Sequence, residues 1–101
     1  MDFYIVLVTV PDETVATAIA DALVSANLAK CVNIVHDIKS IFLWEGKVQD
    51  EQELLLIIKA KKANFSALMS KVKGLHPYTV PEIIALPIVE GNEEYMEWLN
   101  S

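Results

Sequence analysis

One cysteine, three glycines and two histidines among 101 residues leave this chain few of the groups that usually carry chemistry. Cys31 cannot form an internal disulfide, and there is no C-x-x-C spacing to hold a metal between paired thiolates. Phosphate cradles need clustered glycines, and Gly46, Gly74 and Gly91 are scattered. No apolar stretch approaches the roughly 20 residues that cross a bilayer. The start, Met1-Asp2-Phe3-Tyr4, has no basic segment of the kind that opens a signal peptide. Together with the lone thiol this sets the expectation of a cytosolic, reducing location. Basic side chains are also short in supply, 8 against 14 acidic, for a net charge of -6. A surface of that sign repels phosphate backbones and anionic lipid, so neither nucleic acid nor a membrane is an expected partner, whereas cations are. No serine or cysteine has a sequence signature supplying it with a base and an orienting group, so no enzyme is expected.

What the chain has in plenty is apolar surface: 53% hydrophobic residues and a mean hydropathy of +0.36. No linker-like composition interrupts residues 1–101, which read as a single domain. Phe3 to Val10 is a β-branched apolar run stopped by Pro11, the pattern of a buried strand. Asp12 can cap a helix in which Val15, Ile19, Ala22, Leu23 and Ala26 recur at helical spacing, with Asn27 closing it. From Cys31 to Trp44 the chain is strand-like, with Val32, Ile34, Ile38, Phe42 and Trp44 expected on one face and Asn33, Asp37 and Lys39 on the other. The turn Glu45-Gly46-Lys47 reverses it into Val48 to Ala60. Lys61 and Lys62 then lead into an amphipathic helix lined by Phe65, Leu68, Met69 and Val72, for which Gly74 is the expected stop. Ile83 to Val89 reads as strand four, and Asn92 caps a final helix carrying Tyr95, Met96, Trp98 and Leu99.

The order βαββαβ plus a terminal helix is the α+β, ferredoxin-like arrangement, with both main helices on one face of an antiparallel sheet. Strand one and the run Leu54-Leu55-Leu56-Ile57-Ile58 are nevertheless apolar on both faces. A sheet with one wet face should alternate, so a second copy of the chain is expected to cover the other side. Two hairpin strands of about a dozen residues exceed the usual length of about 5–6 and can reach that neighbour.

Between the second helix and strand four lies His76-Pro77-Tyr78-Thr79-Val80-Pro81-Glu82-Ile83, an imidazole, a phenol and a carboxylate framed by two prolines that narrow the backbone. This segment, with Leu28-Ala29-Lys30-Cys31-Val32-Asn33-Ile34, Ser40-Ile41-Phe42-Leu43-Trp44-Glu45-Gly46-Lys47, Glu53-Leu54-Leu55-Leu56-Ile57-Ile58-Lys59 and the closing Tyr95-Met96-Glu97-Trp98-Leu99, resembles the CutA1 divalent-cation tolerance family over nearly the whole chain. The resemblance implies a tightly packed homotrimer similar in architecture to the PII signalling proteins. It also implies a role in tolerance to divalent metals, notably copper, with no established reaction and no required cofactor. Two positions depart from the family's usual pattern: Thr79 stands where an acidic residue is common, and Phe42 where a tyrosine is.

His76 and Glu82 could give nitrogen and oxygen donors to copper or another divalent cation, and a Cys31 thiolate near Lys30 would suit Cu(I). The alternatives are a histidine bonded to a backbone carbonyl and a packed thiol. Lys59 and Tyr78, with Glu82, could instead line a small-molecule cleft between subunits, as a PII-like signalling module would need, or Lys59 and Glu82 could form a structural ion pair that fixes the loop. Trp44 at the hairpin tip reads as an interface anchor. His36 interrupts the apolar face of strand two, where a bulge would turn it outwards as a surface or interface histidine, secondary to His76 as a ligand.

Overall fold

The computed structural model describes residues 2–101. The centre of the fold is β1 (Phe3–Val10), whose β-branched run pairs antiparallel on one side with β3 (Lys47–Lys61) and on the other with β4 (Ile83–Pro87). β2 (Cys31–Trp44) adds to the far side of β3, giving the order β2-β3-β1-β4 with every pairing antiparallel. This is the α+β, ferredoxin-like order expected from the sequence.

Burial follows the pleat. Val6, Val8 and Val10 of β1 and Leu56, Ile58 and Ala60 of β3 are buried against Ala16, Ile19 and Leu23 of α1 (Glu13–Ser25) and Leu68 and Val72 of α2 (Phe65–Leu75). Each fully buried Val, Leu or Ile contributes about 1.5–3 kcal/mol, so this layer dominates the stability of a single chain. The intervening residues Ile5, Leu7, Leu55 and Ile57 are only half-buried, and Ile84 and Leu86 of β4 are 51% and 50% exposed. The second apolar face is therefore real, and neither α1 nor α2 lies over it.

Local chemistry sets the element ends. Asp12 Oδ1 accepts from the Val15 amide at 2.9 Å to open α1, and Asn27, at φ 57°, turns the chain away after it. Asn92 Oδ1 accepts from the Glu94 and Tyr95 amides at 3.0 and 3.2 Å to open α3 (Glu93–Asn100). Glu45 and Gly46 both take positive φ, 51° and 76°, the geometry a two-residue hairpin needs. That turn joins strands of 14 and 15 residues, and the molecule is correspondingly elongated, 44 × 25 × 23 Å.

Three expectations are corrected. Gly74 does not stop α2, which runs on to Leu75 and ends where His76 becomes extended (φ -84°, ψ 133°) ahead of Pro77. β4 ends at Pro87 and not Val89, although the Ile88 amide just beyond it still donates to the Phe3 carbonyl at 2.9 Å. In β2, a bulge sets His36 and Asp37 against Leu54 alone: Val35 pairs with Leu55 and the next pair is Ile38 with Glu53. One extra residue flips the pleat, so Val32 and Ile34 face the helices while Ile38, Phe42 and Trp44 lie on the opposite face. The bulge itself is where His36 suggested it.

Asp37 holds the bulge at φ 57°, a region costly for a β-branched residue. Asp37→Val is expected to destabilise the chain by about 1–2 kcal/mol in urea unfolding, and Asp37→Gly by less than about 0.5 kcal/mol, since glycine adopts this conformation without strain.

Candidate functional site

The proline-framed segment leaves α2, passes the C-terminal end of β1 and enters β4 on the far side. Its first residue is stapled down. His76 is buried; its Nε2 donates to the Thr9 carbonyl at 2.7 Å, and its Nδ1 accepts from the Tyr78 amide at 3.1 Å. That pattern fixes the neutral tautomer protonated at Nε2 and uses both ring nitrogens. The tyrosine ring lies over the imidazole, centroids 4.6 Å apart, and its hydroxyl donates to Glu53 Oε2 at 2.7 Å. Glu53, on the sheet face of Leu55 and Ile57, is only 5% exposed. Burial, reinforced by the bond to the Glu53 carboxylate, pushes the Tyr78 phenol well above its ordinary range.

Glu82 is exposed at the end of the segment, two residues after Val80 and immediately before β4. It makes none of the bonds that hold His76. The expected donor pair therefore does not converge within one chain, because the imidazole is already saturated. Cys31 is farther off still. It opposes Lys59 in the register, six residues along β3 from Glu53, or about 20 Å at strand spacing. There the Lys59 ammonium donates to Asn33 Oδ1, and the same oxygen lies 4.0 Å from Cys31 Sγ. Lys30, invoked as the neighbour of that thiol, turns instead to the C-terminal helix, donating to the Ser101 carbonyl at 3.2 Å with its ammonium 5.5 Å from the Trp98 ring. Burial, and then the neighbouring Cys31, raise the Tyr95 phenol at this end.

The cleft set is spread in the same way. Lys59 lies at one end of the sheet, Tyr78 near its middle, and Trp44, paired with Lys47, at the hairpin tip about 20 Å beyond Glu53 in the other direction. Trp44 is 46% exposed there among Ile41, Leu43 and Val48. Among the described residues no three His, Cys, Asp or Glu side chains converge in a metal-binding group. A cavity of about 640 Å³ between α2 and the β4 edge is lined by Tyr4, Phe65, Met69 and Ile83, among others, and by none of these six candidates. Within one chain the six do not form a common site.

Glu53 was the residue to notice. Its period-two spacing with Leu55 and Ile57 puts a carboxylate on an apolar face, which requires a partner.

Residues 4–101 match the family described as CutA1 divalent ion tolerance protein. The chain belongs to that family. It is 58% identical over 95 residues to the divalent-cation tolerance protein CutA of Thermus thermophilus, covering 94% of this chain and 92% of the relative. It is 50% identical over 97 residues to a chloroplastic CutA 1 of Oryza sativa, of whose length it spans 55%. Among solved structures, the Thermus thermophilus Cut A1 protein superposes with a TM-score of 0.94 at 57% identity, covering 96% of this chain and 94% of that one. An Archaeoglobus fulgidus CutA described as periplasmic gives 0.94 at 38% identity, covering 97% and 95%. CutA proteins thus carry names from more than one compartment, and no helix among the described residues is long and apolar enough to cross a membrane.

The stapled segment makes two measurable claims. His76→Ala leaves the Thr9 carbonyl and the Tyr78 amide without partners and is expected to cost about 2–3 kcal/mol in denaturant unfolding. Tyr78 adds a pH signature: its raised phenol makes the folded state favour the protonated form, so its contribution is complete below about pH 10 and is lost as pH rises beyond that. Stability should therefore fall above about pH 10 in the parent chain and fall less steeply in Tyr78→Phe, a comparison of alkaline unfolding curves that cancels the ionisation of other groups.

Proposed function

We propose that this chain is the subunit of a cytosolic homotrimer that contributes to tolerance of divalent cations, copper among them, by binding them without catalysing a reaction. Membership of the CutA1 family supports the cation role, and the net charge of -6 favours the approach of cations over that of anions. The lone cysteine supports a reducing location.

The observation that carries the assembly is the uncovered face of the sheet. Ile5, Leu7, Leu55, Ile57, Ile84 and Leu86 form an apolar surface on the side away from α1 and α2, and the apolar hairpin tip extends the same chain beyond its own core. A patch of that kind is stable in water when another copy covers it. Binding between copies also fits the dispersal of donors: Glu82 keeps an exposed carboxylate and Cys31 a half-buried thiol at places that one chain cannot bring together.

Light scattering at micromolar concentration is expected to return about three times the 11.3 kDa of one chain, and a monomeric mass refutes the assembly. Calorimetric titration with Cu(II) and Zn(II) tests the cation role, which is lost if neither binds below millimolar concentration.

A further inference from the structure

The chain has two histidines, and the structure gives them opposite chemistry. His76 is buried with both ring nitrogens bonded to the backbone. His36 is on the surface, its side chain 56% exposed, and its Nε2 lies 2.5 Å from Glu13 Oε2, itself on a side chain 61% exposed. Any imidazole contact between this protein and a cation therefore falls to His36. We propose that His36 Nε2 and Glu13 Oε2 are the two protein donors of a divalent-cation site of the copper or zinc class, with water in the remaining positions.

The two donors come from different rigid elements. Glu13 stands in the first turn of α1, whose start is fixed by the Asp12 cap, and His36 stands in the β2 bulge, fixed by the left-handed Asp37. His36 follows Val35, which lies on the open face, and so falls with Val32 and Ile34 on the helix-covered side where Glu13 is; the bulge reverses the pleat only from Ile38 onward. The pair consequently lies away from the apolar face assigned to subunit contact and stays accessible in an assembly built through that face.

Imidazole nitrogen with carboxylate oxygen suits Cu(II) and Zn(II), whereas Mg(II) and Ca(II) favour all-oxygen sets. Metal–ligand bonds of about 2.0–2.2 Å place a cis nitrogen and oxygen about 3 Å apart, so the present pair has only to open by a fraction of an ångström. The cation takes the place of the hydrogen bond between the two atoms, binding the imidazole through Nε2 with the ring N–H left on Nδ1. The Asp12 carboxylate, engaged with the Val15 amide, is not needed as a third donor. The positive end of α1 opposes a cation at Glu13, which sets the affinity below that of a closed, all-protein site.

This inference rests on the cation-binding reading above, and one experiment separates their fates. The full chain is titrated with Cu(II), followed by calorimetry and by the imidazole proton resonances. His36 resonances are expected to broaden at substoichiometric Cu(II) while those of His76 stay sharp. His36→Gln, which should melt close to the parent because the side chain is exposed, is expected to weaken the tightest site on the order of tenfold or more, and Glu13→Gln to weaken it while the His36 broadening survives. If the parent binds Cu(II) and His36→Gln binds it equally well, or if His76 broadens first, the assignment to His36 is overturned and the wider reading stands. If the parent takes up no Cu(II) below millimolar concentration, both fall.

Discussion

Everything in this chain is measured from the pairing of β1 with β3. Eight consecutive pairs, Phe3 with Lys61 through Val10 with Leu54, place Val6, Val8 and Val10 beside Ile58, Leu56 and Leu54 on the face that α1 and α2 cover. A slip of one residue would turn all of these to the other face, so the buried set specifies its own register. β2 is then hung on the outer edge of β3 and β4 on the outer edge of β1. The Thr9 carbonyl and Glu53, which hold the proline-framed segment, sit at the one end of this ladder where both are in reach. The same pairing produces the opposite face, since residues that alternate with a buried apolar set are themselves apolar in both strands. The open apolar face and the core thus come from a single register.

How much of this could be read from residues depends on the range of the interaction. Phe3 to Val10, the Asp12 and Asn92 caps and the Glu45-Gly46 turn are local signals, and each produced the expected element. The two-sided hydrophobicity of β1 and β3 was equally plain. The face of β2 beyond Val35 was not, because a bulge changes which residues share a face by a count that appears only when the partner strand is aligned. Gly74 misled for a related reason: Pro77 restricts the residue before it, and this stops α2 two positions later without help from glycine.

The site was less legible than the fold. His76 was weighed as a metal donor and as a partner of a backbone carbonyl, and the deciding oxygen belongs to Thr9, 67 positions away in sequence. Cys31, Lys59, Tyr78 and Trp44 are each in motifs of the family, and Cys31 and Lys59 do lie opposite one another, yet β3 sets that pair about 20 Å from the Tyr78 contact with Glu53, and Trp44 about 20 Å farther on. Motif membership reports that residues are needed by the same fold; it does not report that they meet in the same subunit. Glu13 carried no signal beyond favouring a helix start, because its partner, His36, stands 23 positions away in sequence.

The contrast between the two histidines follows from what each segment must do. β4 has five residues and one partner strand, so little besides the segment ahead of it sets its register. Ile84 and Leu86 reach the open face only if Ile83 pairs with Val8, and a one-residue shift would present Ile83 and Ala85 there instead. Two prolines, the His76 bonds and the Tyr78 to Glu53 bond remove the freedom to shift. An imidazole committed in this way cannot also exchange a ligand without loosening the strand it secures. The bulge in β2 has no such duty: its geometry is held by the backbone of Asp37 and by β3, and the exposed side chain of His36 is bonded only to that of Glu13.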